Sequence, residues 1–152
     1  MARKSLENTL GDADYRALAE FRHQLRQFLL FSENAARDAG LQPRHHQALL
    51  AIKGFADSTI GDLATRLGIK PHSAAELVNR LVAAKLVRRT ADREDRRRVH
   101  LALTATAEKK LETLTLAHRA ELRRLATLWG PLLKGLAMDA VPAPDQPQAN
   151  GE

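Results

Sequence analysis

Two short helical patterns joined by a tight turn constrain the fold of this chain more than any other feature. They lie in "TIGDLATRLGIKPHSAAELVNRLVAAK", Thr59 to Lys85. Gly68 closes the first pattern, because a helix stops readily at a residue free to turn left-handed. Pro71 sits in the first turn of the second, where its missing N–H costs nothing. Leu77, Val78, Leu81 and Val82 then recur at helical spacing and form one apolar face. Two short helices joined in this way form a helix-turn-helix.

The segment after Lys85 narrows the reading. Leu86–Thr90 and Val99–Leu103 read as strands, and in the second Val99, Leu101 and Leu103 face one way while His100 and Ala102 face the other. Between them every residue from Asp92 to Arg98, "DREDRRR", is charged. A run of that kind belongs at a hairpin tip, where its solvation is kept. A hairpin after a helix-turn-helix is a wing. Arginines on a protruding wing suit a narrow minor groove, whose negative potential is enhanced. Arg93, Arg96, Arg97 and Arg98 are therefore candidate DNA contacts, with Asp95 expected to pair with a neighbouring arginine and fix its direction. A solvated turn is the plain alternative.

The second helix of the pair, Pro71 to Ala84, offers Lys70, His72, Ser73, Glu76 and Arg80 on its exposed N-terminal face. These side chains suit major-groove edges or phosphates. A carboxylate facing DNA repels phosphate, so Glu76 either accepts from a cytosine amine or pairs with Arg80 four residues on. Asn79 suits adenine if it faces the groove.

Helices flank this centre. Residues 1–11 read as a loose arm. From Asp12 or Asp14 a helical pattern runs to Gly40, and in "FLLF", Phe28 to Phe31, it is apolar all round. A helix of that kind is buried on more than one side, which points to a second subunit. Pro43 opens the next helix. A long helix runs from Thr104 to about Trp129, with Leu111, Leu114, His118, Leu122 and Leu125 as its stripe, and a short last helix is expected behind Pro131. Residues 139–152, rich in proline, read as a disordered tail. The expected fold is mainly α, a winged helix-turn-helix (residues 43–103, wing 86–103) flanked by N- and C-terminal dimerisation helices at 12–39 and 104–138.

Charge supports a polyanionic partner. The net charge is +6, and residues 141–152 carry two acids and no base, so the rest of the chain holds +8. With no cysteine, disulfides, thiolate zinc sites and thiol-based redox sensing are excluded. No apolar run approaches the roughly 20 residues of a membrane span, and the N-terminus lacks a secretory pattern. A cytoplasmic protein without a membrane partner is expected. His45 and His46 point about 100° apart on a helix and chelate poorly together. There is no HExxH pair, so no metal or other cofactor is expected, and His118 reads as a hydrogen-bonded core or interface residue. Phosphate-binding loops, GxSxG and dinucleotide glycine patterns are missing too, so an enzyme is not expected.

Over roughly residues 12–138 the chain resembles the multiple-antibiotic-resistance regulator (MarR) family of winged-helix repressors. The resemblance is most specific in "LVRRTADREDRRRVHLALT", a wing carrying Asp95-Arg96-Arg97 and a strand ending in Leu-Thr. It implies a homodimer built from the terminal helices and a wing arginine, Arg97 before Arg96, in the minor groove with Asp95 as orienter. The dimer would bind a pseudo-palindromic operator. It also implies a cleft for a small aromatic or phenolic effector, for which Phe21, His23, Phe28, Phe31, His46, Leu49 and Leu50 are candidates, with plain packing as the alternative. Two positions depart from the family pattern. Lys85 replaces a usual Gly, which points to a left-handed residue there, and Ala107 replaces a common Gly early in the long helix. The rival readings are a winged-helix protein-interaction module and a small-molecule-binding protein indifferent to DNA.

Overall fold

The computed structural model describes residues 10–135, with the element order α1 (Asp12–Asp38), α2 (Pro43–Gly54), α3 (Ile60–Leu67), α4 (Pro71–Ala83), β1 (Val87–Ala91), β2 (Val99–Leu103) and α5 (Ala105–Gly135). The expected arm (residues 1–11, save its last two) and tail (139–152) lie outside the described residues. The chain divides into two units, one of residues 27–122 and one holding the two chain ends, residues 1–26 and 123–152. Among the described residues no helix is long and apolar enough to cross a membrane.

In the larger unit three helices stop in the same way. After α1, Leu41 N–H donates to the Ala36 carbonyl and Gly40 N–H to Arg37, both at 2.9 Å. After α3, Ile69 donates to Ala64 at 3.0 Å and Gly68 to Thr65 at 3.2 Å. After α4, Leu86 donates to Leu81 and Lys85 to Val82, both at 2.9 Å. Each is a Schellman cap, which places one residue in the left-handed region just past the helix. Gly40 (φ 73°) and Gly68 (φ 63°) adopt it freely, whereas Lys85 adopts it at φ 57°, as its place in the sequence predicts. The next residues, Leu41, Ile69 and Leu86, are apolar and pack into the core.

A side chain at φ 57° costs about 1 kcal/mol that glycine avoids, less the extra freedom glycine gives the unfolded chain. Lys85→Gly is therefore expected to stabilise the fold by about 0.5 kcal/mol. Denaturant unfolding would show it as a higher midpoint at unchanged slope.

The other ends are tied as locally. Thr59 and Asp62 form a capping box at the start of α3, and the Thr59 hydrogen bonds hold the Asp62 carboxyl below its usual range. Thr104 caps α5 through Ala107 N–H (3.3 Å), while its hydroxyl donates to the Lys85 carbonyl (2.8 Å). The Leu-Thr at the end of the second strand thus joins β2, the cap of α4 and the start of α5. Leu101 N–H donates to the Ser58 carbonyl at 2.9 Å, so β2 is bonded by β1 on one side and by the α2–α3 turn on the other.

β1 and β2 pair antiparallel, Val87 with Leu103 through Ala91 with Val99. Leu101, Leu103 and Val87 are buried with Leu49, Leu63, Val78 and Leu81 in one core. The first strand begins one residue later than the sequence pattern suggests, because Leu86 completes the cap of α4.

In the smaller unit, Phe21 and Trp129 pack with ring centroids 5.5 Å apart and Leu125 is fully buried. The expected break before Pro131 does not occur: α5 continues to Gly135 with Pro131 inside it. Proline there forfeits one backbone bond near the helix end. Leu128, Pro131 and Leu132 line an open groove of about 310 Å³ with Ala17, Glu20 and Gln24 of α1.

Candidate nucleic-acid interface

The seven charged residues of the wing tip form an ordered turn held by two aspartates. One oxygen of Asp92 accepts from the amides of Glu94 (2.7 Å) and Asp95 (3.0 Å). The Asp92 amide donates to the Arg98 carbonyl (3.0 Å), closing the loop. Asp95 accepts from the Arg97 amide at 2.9 Å. This corrects the role expected of Asp95: it orients the backbone of Arg97, and among the described residues no wing guanidinium is paired with it. An aspartate opening a tight turn bonds the amides two residues on more readily than a long flexible side chain. Arg93, Arg96, Arg97 and Arg98 are exposed.

The other oxygen of Asp92 binds His100. The ring spans two partners, Asp92 Oδ2 at 2.6 Å from Nε2 and the Asp57 carbonyl at 2.8 Å from Nδ1. The Asp92 bond, then the Asp57 bond, raises the His100 pKa above its ordinary 6.5. His100 and then the Asp95 and Glu94 amides push the Asp92 carboxyl far below its usual range. The stabilisation from His100 is complete below its ordinary value and is lost as pH climbs through the raised one. That from Asp92 is present above its ordinary value and is lost only as pH falls through the depressed one. Sequence reasoning missed both residues. The available signal was diagonal: His100 pairs with Thr90, and Asp92 stands two residues beyond Thr90 on the same face.

On α4 the candidate groups share one face. At 100° per residue, Asn79, His72, Glu76, Arg80 and Ser73 span an arc of about 120°. Ala74, Leu77, Val78 and Leu81, all buried, occupy the opposite side. Lys70 precedes the helix and is exposed, as are His72, Glu76 and Arg80, while Ser73 is half-buried. No Glu76–Arg80 ion pair forms among the described residues, so the carboxylate stays exposed and unneutralised by that neighbour. Burial and then the Arg80 charge lower the pKa of His45 on α2. Asn79 accepts a hydrogen bond from Arg89, which joins the polar arc of α4 to the wing strand and commits its amide oxygen.

Of the seven candidate effector residues, Phe21 and His23 lie in the smaller unit and the other five in the larger. Phe21 packs on Trp129, His23 is exposed, Leu49 is fully buried in the core and Leu50 is 48% exposed. Phe28, Phe31 and His46 do gather, around His118, at centroid distances of 5.9, 5.3 and 4.9 Å. His118 also bonds the Leu114 carbonyl (2.6 Å) and Ser32 hydroxyl (2.7 Å). Burial and then His118 lower the His46 pKa. The cluster is packed ring against ring, because helical spacing aimed these side chains at one another rather than around a space. No group of three metal-ligating side chains exists among the described residues.

The family model described as MarR family matches residues 39–98, from the end of α1 to the last wing arginine. The HTH-type transcriptional regulator YcgE of Bacillus subtilis is 29% identical over 110 residues, 72% of this chain and 71% of that protein. The HTH-type transcriptional repressor MdtR of the same organism is 27% identical over 85 residues, 56% of this chain and 55% of its own length. In structure, the chain is similar to S. aureus MepR in its complex with DNA, with a TM-score of 0.60 and 19% identity, covering 78% of this chain and 95% of that one.

Proposed function

We propose that this chain, which matches the MarR family model over residues 39–98 and is similar to HTH-type transcriptional regulators, is a member of that family and acts, not as an enzyme, but as a homodimeric, sequence-specific DNA-binding repressor. Each protomer would lay the polar arc of α4 in a major groove and the wing tip in the flanking minor groove. The observation that carries this is the wing itself, four exposed arginines on a turn held in one shape by Asp92 and Asp95. Pre-ordering a loop removes an entropic cost from binding. Lys70, His72, Ser73, Glu76 and Arg80 would contact bases or phosphates. A homodimer is supported by leucines left exposed on both long helices: Leu18, Leu25, Leu29 and Leu30 on α1, Leu116 and Leu122 on α5. A small aromatic or phenolic effector that released the DNA would have to part the Phe28–Phe31–His46–His118 cluster. A cytoplasmic location accords with these partners.

The test is selection from a randomised duplex pool, followed by fluorescence anisotropy on the enriched duplex and on a scrambled one, across salt. The enriched sites are expected to carry two related half-sites about one helical turn apart, roughly 34–36 Å. Preference over the scrambled duplex should reach about a thousandfold or more, with affinity falling steeply as salt rises. Equal, weak binding to both duplexes would overturn this reading and favour a protein-interaction module.

A further inference from the structure

A histidine on the outer face of the wing links the tip to the body of the larger unit. His100 stands near the tip end of the hairpin, opposite Thr90, and reaches one partner in each direction, the Asp57 carbonyl in the α2–α3 turn and the Asp92 carboxylate at the base of the tip. Beyond Asp92 the connection continues without a gap. Asp92 holds the amides of Glu94 and Asp95, and Asp95 holds the amide of Arg97. Asp57 sits in the left-handed region at φ 59°, so the turn that presents this carbonyl is itself tightly defined.

We propose that His100 is a positioning residue for DNA recognition, setting the wing tip through Asp92 in its doubly protonated form and loosening it when it loses a proton. This rests on the reading of the wing as a DNA contact. Both ring nitrogens face acceptors, and only the imidazolium carries two N–H donors. The neutral ring has one. It must release either Asp57, loosening the hold of the α2–α3 turn on the ring, or Asp92, freeing the tip.

The surroundings favour the cation. His100 lines an open cleft beside β1. Lys53 of α2 and Glu108 of α5 face it as an ion pair of 2.7 Å. Arg88 of β1 and Arg93, Glu94 and Arg98 of the wing also line the cleft. The two groups bonded to the ring are both acceptors, and the Asp57 carboxylate adds its field to theirs. The raised His100 pKa agrees. Loss of the second donor would therefore fall above the ordinary histidine range.

Two measurements test this. By NMR, the Glu94 and Asp95 amides should titrate with the His100 ring, above its ordinary 6.5, in wild type. In His100→Gln these amide transitions should vanish. In Asp92→Asn, whose side chain still accepts from those amides, the ring should titrate nearer 6.5. By anisotropy on the selected duplex at constant ionic strength, wild type should lose about fivefold more affinity than His100→Gln between about pH 6 and pH 9, a share of one charge-assisted hydrogen bond. His72 on α4 is present in both proteins, so the comparison between them isolates His100. If the two pH profiles coincide while replacing Arg96 and Arg97 still weakens binding, His100 does not position the wing and the inference is wrong. If those arginine replacements have no effect either, the wing reading itself has failed.

Discussion

Replacing Arg96 and Arg97 together by alanine is expected to cut affinity for the selected duplex at least about thirtyfold, at about 1–3 kcal/mol for each specific arginine contact. Both side chains are exposed and make no side-chain hydrogen bond or ion pair among the described residues. Their removal should leave folding stability within about 0.5 kcal/mol, and the tip keeps its shape because Asp95 holds the Arg97 backbone, which alanine retains. The weakening should be electrostatic in part, so the dependence of log affinity on log salt should flatten by about 0.9 for each phosphate no longer neutralised. The lysine pair in the same positions separates the contributions. It keeps the charge and hence much of the slope, yet it loses the planar fork and with it part of the preference over a scrambled duplex. An alanine variant that binds as wild type, with an unchanged slope, would make these arginines solvated bystanders.

What the sequence made legible was mostly what the backbone demands locally. The prolines at 43 and 71 open helices, the glycines at 40 and 68 close them, and the alternation at 99–103 fixes which strand face is buried. Lys85 belongs with these, since the need for a left-handed residue is set by the cap and not by the side chain that fills it. The misreadings have different causes. Pro131 stays helical near the end of α5, where its missing N–H forfeits only one backbone bond. The hold on the wing passes through Asp57, Asp92 and His100, which lie up to 43 residues apart in sequence and carry no common spacing. Asp95 was expected to serve a side chain and serves an amide instead, a choice decided by turn geometry that charge pattern does not encode. Phe28 and Phe31, beside His118, were legible as apolar helix positions and His46 as a candidate cleft residue. Whether they enclosed a space or filled it depended on how α1, α2 and α5 pack within the larger unit.

Truncating Leu81 is expected to be the most damaging single change in the core. Leu81 is fully buried, on the side of α4 opposite the polar arc. Its carbonyl also accepts the Leu86 amide that ends the helix, so the side chain and the cap anchor the same turn. Leu81→Ala removes three carbons from a close-packed site and leaves a cavity, at about 3–4 kcal/mol. Against a total of about 5–15 kcal/mol for a domain, that is enough to lower the denaturant midpoint visibly. Leu50→Ala on α2, at a position 48% exposed, should shift stability by only about 0.5 kcal/mol and serves as the control. The effect should be confined to folding. Where Leu81→Ala remains folded, its affinity per folded molecule should stay close to wild type, because no group on the polar arc is altered. A destabilisation below about 1 kcal/mol would mean that α4 is not seated on the core through this residue. A folded variant with weak DNA binding would mean that the seating of α4, as well as its exposed face, sets recognition.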